Sequence, residues 1–347
     1  MARVRSAQWV FVALFVAAIF APGVAMLLQV APNSYTSEKR KLAEFPELAS
    51  TPIAELPRRL DDYVRDHFGF RDALIRWSNR LRVKVLRTSP VPNAIIGREG
   101  WLFYAAYGDG GDIRDHLGRL PLTLADIEER KRTLLEHRDF FASRGITYLF
   151  VVVPNKQSIY PGWAALRHGT ERPLTRLDQI SNVFRDDPSI PFLDLRETLL
   201  PARSKGDLYL RTDSHWNMFG TFLGFQAILR RLAEMRPGIP VIPDDYARFT
   251  DRPAKGGDVA MLLSMADELG DVTQDVEWND TIPRTPLRVV LAGDSFAESL
   301  HPFFEQQFEY VNPMQDAISR TLDVEAILTH RPDIVIEEHV ERYLTTW

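Results

Sequence analysis

The sequence of 347 residues contains no cysteine, and this absence limits its chemistry at once. Disulfide bonds, thiolate metal ligands and a cysteine nucleophile are all excluded. The eight histidines include no pair in the H-x-x-x-H or H-x-x-E-H spacing. No glycine-rich phosphate loop or dinucleotide fingerprint occurs either. We therefore expect neither a metal ion nor a cofactor.

Clustered positive charge is also missing. The net charge is −5 with the histidines neutral, and nothing suggests the basic face that nucleic-acid binding requires, so we expect no nucleic-acid partner. Apolar residues make up 45% and charged residues 26% of the chain, which is ordinary for a globular protein. The length suffices for one large domain with an appendage.

Charge of either sign is absent from residues 9–28, where only one proline and one glycine interrupt the apolar run. Twenty helical residues span about 30 Å, the thickness of the hydrocarbon core of a bilayer. Arg3 and Arg5 precede the run, and positive charge stays on the cytoplasmic side. We therefore expect residues 1–30 to anchor the protein in the bacterial inner membrane and the remainder to lie in the periplasm.

A cleaved signal peptide is the alternative interpretation of this segment. The apolar region of a signal peptide is shorter, roughly 7–15 residues, and it ends at a small-x-small site. Ala21 and Gly23 form such a pattern around Pro22. Both interpretations export the body of the protein.

A linker and a helical lead-in are predicted over residues 31–92. Residues 31–55 are rich in proline, serine and charge, whereas 56–88 carry apolar residues at helical spacing. Gly69 lies where a corner between two helices is expected. The catalytic domain is predicted to occupy 93–347.

Helix and strand patterns alternate through that domain. The predicted elements are a hairpin over 94–104, helices over 124–143, over 216–235 and from about Phe296, and strands over 146–153, 192–195, 208–210, 287–292 and 333–336. Such alternation is typical of an α/β fold with a mostly parallel central sheet.

Ser295 is the first candidate for chemistry, because it follows an apolar strand pattern and Gly293-Asp294. Active sites of open α/β sheets lie beyond the carboxyl ends of strands. A serine at such a turn exposes its hydroxyl, and its own N–H at a helix start can face a developing oxyanion. The alternative is that Asp294 and Ser295 simply cap a helix.

Asp213 and His215 are the second candidates. A serine is a poor nucleophile unless a base takes its proton, and that base needs an acceptor that orients it. The Asp-x-His tripeptide offers both in one short loop before a helix pattern. The alternative is a cap followed by an ordinary polar histidine.

Other polar residues follow predicted strands and are weaker candidates. Asn155 and Lys156 follow the strand at 146–153 and could donate to an oxyanion or a sugar hydroxyl, or could simply form a polar loop. Arg342 and Tyr343 could reach the site from the last strand. His339 is a rival base, which we interpret as structural.

Trp216 could stack on a sugar ring, but a place in the core is the favoured interpretation.

Together these blocks resemble the alginate O-acetyltransferase AlgJ/AlgX family and its SGNH-hydrolase-like domain. The resemblance rests on Asp213-Ser214-His215-Trp216, on the later Gly293-Asp294-Ser295-Phe296 and on their order, because ordinary SGNH hydrolases place the serine first. Stretches 66–71, 97–103 and 340–344 look similar too, so the likeness extends from about residue 37 to the end of the sequence.

The resemblance implies a three-layer α/β sandwich and a Ser-His-Asp triad that acetylates a polysaccharide during export. Ser295 would accept the acetyl group, His215 would act as base and then acid, and Asp213 would orient His215. The implied partners are a polysaccharide acceptor such as alginate or cellulose, a membrane-bound O-acyltransferase that supplies acetyl, and other exopolysaccharide export proteins. Since the sequence ends at Trp347, we expect no carbohydrate-binding module of the AlgX type after the sheet.

Two other functions are compatible with the sequence. A carbohydrate acetylesterase would share the acyl-enzyme and differ only in that water attacks it. A catalytically inactive scaffold would dock export components and form no adduct with a serine-directed inhibitor.

Overall fold

The computed structural model describes residues 2–28, 41–105, 111–164, 174–279, 282–315 and 322–345. Contacts divide the chain into two compact units, one of Met1–Pro90 with Leu263–Met265 and one of Val91–Leu262 with Ala266–Trp347. Residues 31–40 of the predicted linker, and the last two residues of the predicted anchor, lie outside the described residues. The domain boundaries expected from the sequence stay a prediction.

Helices and strands have the following bounds. The helices are α1 Ala2–Leu27, α2 Leu56–His67, α3 Arg71–Arg80, α4 Gly111–His116, α5 Leu124–Ala142, α6 Lys156–Ile159, α7 Arg176–Phe184, α8 Arg196–Ala202, α9 Met218–Met235, α10 Asp258–Leu262, α11 Ser295–Gln307 and α12 Val324–Thr329. The strands are β1 Ala94–Ile96, β2 Leu102–Tyr104, β3 Thr147–Val153, β4 Phe192–Asp194, β5 Ala247–Ala254, β6 Asp271–Trp278, β7 Thr285–Gly293, β8 Phe308–Gln315 and β9 Ile334–Val340.

The first unit contains the helices α1 to α3. Residues Gln8–Leu27 of α1 have a mean hydropathy of 2.6, and 6% of this apolar stretch is buried. This helix is therefore long and apolar enough to cross a membrane. The predicted corner at Gly69 separates α2 from α3, and a π turn, Leu81–Val85, prolongs α3. Helices thus occur between residues 56 and 85, within the region where the sequence predicts them.

The second unit is built on a five-stranded sheet in the order β4-β3-β9-β7-β8, with every neighbouring pair parallel. Side chains alternate between the two faces of each strand. On one face, Leu149, Val151 and Val153 of β3 pack with α8, α9 and α11. On the other face, Phe150 and Val152 pack with α5, α7 and α12. The predicted three-layer α/β sandwich is confirmed.

Local signals explain where several of these helices begin. Thr123 with Asp126, and Thr175 with Asp178, form reciprocal capping boxes at α5 and α7. The amide oxygen of Asn217 accepts from the N–H of Gly220 at 2.8 Å, so α9 begins just after the residue predicted to start it. These caps satisfy N–H groups that have no partner within the helix.

Two features of the sheet differ from expectation. The predicted strand at 208–210 is wrong, because Tyr209 makes only an isolated bridge with Trp216 and the chain turns back between them. Leu208 and Tyr209 are buried by packing rather than by a sheet. The antiparallel pair β5–β6 and the edge strand β8 were not predicted, since their half-exposed positions give no continuous apolar run.

Candidate active site

Asp213, His215 and Ser295 form one hydrogen-bonded chain. The Nε2 atom of His215 lies 2.7 Å from Oγ of Ser295, and its Nδ1 atom lies 2.6 Å from Oδ1 of Asp213. The same carboxylate oxygen also accepts the backbone N–H of His215 at 2.9 Å. A serine, a base and an orienting acceptor are therefore in the geometry that nucleophilic catalysis requires.

Ser295 lies at the junction of β7 and α11. Asp294 is the N-cap of the helix, and its Oδ1 accepts from the N–H of Phe296 at 2.8 Å. Its Oδ2 accepts from the N–H of Val340, at the end of the neighbouring strand β9, also at 2.8 Å. Asp294 thus fixes the turn from both sides. As the first residue of α11, Ser295 has an N–H with no acceptor inside the helix.

Glu338 lies directly beneath this turn and is fully buried. Its Oε2 accepts from the N–H of Asp294 at 3.3 Å, and a Cβ atom on Gly293 would lie 2.7 Å from the same oxygen. Burial raises the pKa of Glu338 well above its usual range, and the adjacent Asp294 raises it further. This environment favours a protonated carboxyl and requires glycine at 293.

Lys156 supports the loop that carries Asp213 and His215. Its Nζ atom donates to the carbonyl oxygens of Leu102, Arg211 and Asp213 at 2.6, 2.8 and 2.9 Å. Burial lowers the pKa of Lys156 to about 7, against the raising effect of the carboxylates around it. Three acceptors match the three N–H groups of the ammonium form, so the geometry is that of the charged side chain. Lys156 holds the loop and does not face a substrate.

Asp271 at the start of β6 holds the same loop from another direction. Its carboxylate accepts the N–H groups of Arg211 and Thr212 at 3.0 and 2.7 Å, and the Thr212 hydroxyl at 2.5 Å. That hydroxyl in turn accepts from the N–H of Gly257 at 2.9 Å. The loop is therefore positioned by residues far away in the sequence.

Asp258 places a second carboxylate beside the histidine. Its Oδ2 lies 3.5 Å from Nδ1 of His215 and accepts from the Ser214 hydroxyl at 2.5 Å. Its own N–H donates to Oδ2 of Asp213 at 2.8 Å. The preceding Gly257 is in such close contact that a Cβ atom there would overlap the Asp213 carboxylate. Gly257 and Asp258 therefore contact the triad and help to hold Asp213 and His215 in place.

The charges around His215 set its basicity. Burial alone would lower the pKa of His215, but the hydrogen bond and charge of Asp213 outweigh it, and Asp258 adds to the effect, so the pKa is raised. The positive charge of Arg342 opposes this increase. Burial raises the pKa of Asp258, and the negative charge of the neighbouring Asp213 carboxylate raises it further.

Asp213, His215 and Asp258 are the one group of metal-type donors among the described residues, with donor atoms within 4.8 Å of one another. Their donor atoms are engaged with each other and with Ser214. The arrangement orients His215 as a base rather than presenting free donor atoms to a metal ion.

Arg342 lies at the carboxyl end of β9 and is buried against aromatic rings. Its guanidinium carbon is 5.4 Å from the ring centroid of Phe296 and 5.4 Å from that of Tyr343. Phe296 in turn contacts the ring of His215, with centroids 4.9 Å apart. Arg342 is thus placed next to Phe296, and its positive charge acts on His215.

The other sequence candidates occupy different positions. Trp216 is 2% exposed and packs on Phe296 in the core, so it is not available to stack on a sugar. Asn155 donates its N–H to Glu341 at 2.8 Å, and its side chain has no described contact with the triad. His339 pairs with Glu337 at 3.1 Å on the face of the sheet opposite α11, away from Ser295.

Gly257, Asp258, Asp271 and Glu338 were not predicted from the sequence. Gly257-Asp258 does precede a helix, which is a visible local signal of a cap or turn. Its association with Asp213 depends on a contact across 45 positions, which no local pattern reveals. Glu338 lies in β9 between Glu337 and His339 and is fully buried, which is itself unusual for an acidic residue.

A family model described as "SGNH hydrolase-like domain, acetyltransferase AlgX" matches residues 94–341, which is most of the chain. The chain belongs to this family. The AlgX-family match includes all three triad residues together with Asp258, Glu338 and Lys156.

Curated relatives of this AlgX-family chain are named "Probable alginate O-acetylase AlgJ". The protein from Pseudomonas putida is 26% identical over 140 residues, 40% of this chain and 33% of the relative. The one from Azotobacter vinelandii is 24% identical over 169 residues, 48% of this chain and 39% of the relative. The chain thus matches between a third and two fifths of the length of these relatives.

Solved structures resemble the fold. Bacillus cereus PatB1 has a TM-score of 0.51 and 16% identity, with 73% of this chain and 97% of that chain covered. The O-acetyltransferase domain of Pseudomonas putida AlgJ has a TM-score of 0.49 and 21% identity, with 74% and 94% covered. The PatB1 likeness supports the SGNH-type architecture.

Proposed function

We propose that this protein is a polysaccharide O-acetyltransferase that acts through an acetyl-serine intermediate. The observation that carries the proposal is the hydrogen-bonded chain from Asp213 through His215 to Ser295, in a chain of the AlgX family. The names of the curated relatives suggest alginate or a similar exopolysaccharide as the acceptor.

Acylation begins when Oγ of Ser295 attacks the carbonyl carbon of an acetyl donor. His215 takes the hydroxyl proton at Nε2, and Asp213 stabilises the resulting imidazolium through Nδ1–H. Collapse of the tetrahedral intermediate breaks the bond to the leaving group, which takes the proton from Nε2. Acetyl-Ser295 and a neutral His215 remain.

Positive potential at the start of α11 stabilises the oxyanion of that intermediate. The N–H of Phe296 is occupied by Asp294, so the N–H of Ser295 is the one at this helix start left to donate. The buried guanidinium of Arg342 adds a second source of positive charge beside His215. Such preorganised donors act most strongly where water is excluded.

Deacylation repeats these steps with a sugar hydroxyl as nucleophile. Its proton passes to Nε2 of His215 while its oxygen attacks the acetyl carbonyl, and the proton returns to Oγ of Ser295 as the acetyl ester of the sugar forms. Water in place of the sugar hydroxyl would give acetate and make the protein an esterase.

Location and partners form part of the same proposal. α1 is proposed to anchor the protein in the inner membrane with the second unit in the periplasm, since Gln8–Leu27 fits the thickness of a bilayer. Acetyl-coenzyme A is confined to the cytoplasm, so a membrane-bound O-acyltransferase is proposed to supply the acetyl group. Other exopolysaccharide export proteins are the proposed neighbours.

Ser295→Ala tests the nucleophile with a chromogenic acetyl ester as donor. Acetyl release by the purified variant is expected to fall to the uncatalysed level, and the wild type is expected to form a covalent adduct with a sulfonyl fluoride. Ser299→Ala makes the same change one turn further along α11 and is the matched control. Unchanged release by Ser295→Ala would refute the acetyl-serine mechanism.

Transfer and hydrolysis are distinguished by the fate of the polysaccharide. The enzyme is incubated with the acetyl ester and a polysaccharide that carries no acetyl groups, and the oligosaccharides released from it are weighed by mass spectrometry. A gain in mass of one acetyl group per modified sugar is expected. Mass loss from a pre-acetylated polymer, without any gain, would instead identify an acetylesterase.

A further inference from the structure

The helix α3 and its π turn carry a stripe of exposed apolar side chains. Leu74, Trp77, Leu81 and Val85 follow one another at intervals of three, four and four residues and are 50%, 65%, 40% and 67% exposed. That spacing places them along one side of the helix. We refer to these four residues as the apolar stripe.

The opposite side of the same helix is buried and partly polar. Asn79 and Val83 are 7% and 6% exposed, and the amide of Asn79 donates to the carbonyl oxygen of Leu263 at 2.7 Å. A surface helix normally directs its apolar side inwards. The reversed arrangement indicates that the apolar stripe meets an apolar partner rather than water.

Basic side chains accompany the apolar stripe. Arg80, Arg82, Lys84 and Arg87 are all exposed, and no acidic residue occurs between 76 and 87. A helix with apolar residues on one side and several Lys or Arg residues beside them is suited to the surface of an anionic membrane. A second copy of this chain would instead place like charges against each other.

The start of α3 lies against the last turns of α1. Gly69 is so close to Pro22 and Ala25 that a Cβ atom there would lie 2.8 Å from Cβ of Ala25 and would overlap the Pro22 carbonyl oxygen. Ala25 is the buried residue among the described side chains of α1, which are otherwise largely exposed. This contact joins the two helices within one compact unit.

The contact also sets the depth of α3. If Gln8–Leu27 fills the hydrocarbon layer, Pro22 and Ala25 lie in its outermost two turns, since each residue advances the helix by about 1.5 Å. Phe68 and Phe70, each 39% exposed, flank Gly69 at this level. Aromatic residues are enriched at such interfaces, as Trp77 on the apolar stripe would be.

We propose that the apolar stripe lies in the outer interface of the bilayer that α1 crosses, with the neighbouring Arg and Lys side chains on anionic lipid phosphates. The protein then rests on the membrane along α3 as well as crossing it through α1. The proposal depends on the membrane anchorage proposed above but not on the acetyl-transfer activity.

The absence of cysteine allows a direct test, because any introduced cysteine is a unique labelling site. Full-length Leu81→Cys carries an environment-sensitive NBD fluorophore, and Arg76→Cys on the same helix, away from the apolar stripe, is the matched control. Both are reconstituted into vesicles of phosphatidylcholine with or without phosphatidylglycerol, and some vesicles contain lipids spin-labelled near the headgroup. Circular dichroism and acetyl-ester release verify that the variants are folded.

Lipid quenching at position 81 is expected to be about twofold stronger than at position 76, with greater quenching when phosphatidylglycerol is present. Equal exposure of both probes to aqueous iodide would overturn the proposal. Protection from iodide without lipid quenching would also overturn it and point to contact between protein copies. Failure of the full chain to float with vesicles would refute the anchor itself, whatever the acetyl-ester activity.

Discussion

The two halves of the triad are held in place by different means. Ser295 lies where a buried parallel strand turns into a helix, so regular structure and the single cap Asp294 fix its position. Asp213 and His215 lie in an irregular loop that depends on Lys156 and Asp271 for its conformation. The nucleophile is thus positioned by a strand, a helix and the bonds of Asp294 to main-chain N–H groups, whereas the base is positioned by distant side chains.

This difference indicates which substitutions should reduce catalysis most. A strand and a helix are stabilised by many interchangeable contacts, whereas the loop depends on a few buried polar ones that have no substitute. Substitutions around the loop should therefore affect catalysis more than substitutions of equal size around the Ser295 turn.

The largest effect is expected when Asp213, which accepts the hydrogen bond from Nδ1 of His215, loses its charge. In Asp213→Asn the amide cannot stabilise the imidazolium and favours the wrong tautomer of His215, so kcat should fall about 10⁴-fold with the fold intact. Steady-state release from a chromogenic acetyl ester measures the loss. Asp186→Asn, at an exposed position, is the control and should behave as wild type. A loss below about tenfold would contradict the assigned role of Asp213.

Lys156→Met breaks the support of the loop. Three carbonyl oxygens each lose one hydrogen-bond donor, and the free energy of unfolding should fall by about 3 kcal/mol. The loosened base should also reduce kcat/KM by about 10²-fold. Urea unfolding and ester kinetics measure both quantities. Lys255→Met removes an exposed ammonium paired with Asp267 and should change neither; equal effects of the two substitutions would argue against a support role for Lys156.

Gly257→Ala tests the close contact behind Asp213. The added methyl group would overlap the Asp213 carboxylate and push it away from His215, so kcat/KM should fall by about tenfold to a hundredfold. Gly238→Ala, in open surroundings, is a steric control whose effect on activity should be absent although its positive φ of 92° makes it strained. Wild-type kinetics for Gly257→Ala would show that the contact is not needed.

The smallest expected effect is a shift in the pH dependence of kcat/KM. His215 must be neutral to accept the proton, so kcat/KM rises as the pH rises through its pKa. Asp258 raises that pKa and Arg342 lowers it, so Asp258→Asn should move the acidic limb to lower pH and Arg342→Gln should move it to higher pH. If the acidic limb of the kcat/KM profile moved in the same direction in both variants, or in neither, the electrostatic account of His215 would be contradicted.

The contrast between the two halves also explains what the sequence could predict. The Ser295 turn follows from an apolar run, a Gly-Asp-Ser tripeptide and a helix pattern, all within about twelve residues, and the sheet and its flanking helices follow from similar local periodicity. The Asp-x-His tripeptide identified His215, but not what holds it. Asp258 and Asp271 are brought to the loop only by folding, over 44 and 59 positions.

Two differences from expectation have the same origin. Lys156 was a candidate donor to an oxyanion or a sugar hydroxyl, with a polar loop as the alternative, yet its side chain is directed inwards and its charge is used on carbonyl oxygens. The residues at 208–210 looked like a strand because they are apolar, yet they are buried without sheet partners beyond one bridge. An apolar pattern predicts that a residue is buried, but it does not predict which other residues bury it.

The position of β9 has a consequence for how the chain folds during the export proposed above. β9 follows every other described strand in the chain but lies in the middle of the sheet, between β3 and β7. The N–H of Val340, its last residue, completes the cap beneath Ser295. In the export from the N-terminus that we propose, the sheet would therefore stay in two pieces until β9 arrives. Assembly of the nucleophile would then be among the last events of biogenesis, after the chain has cleared the membrane.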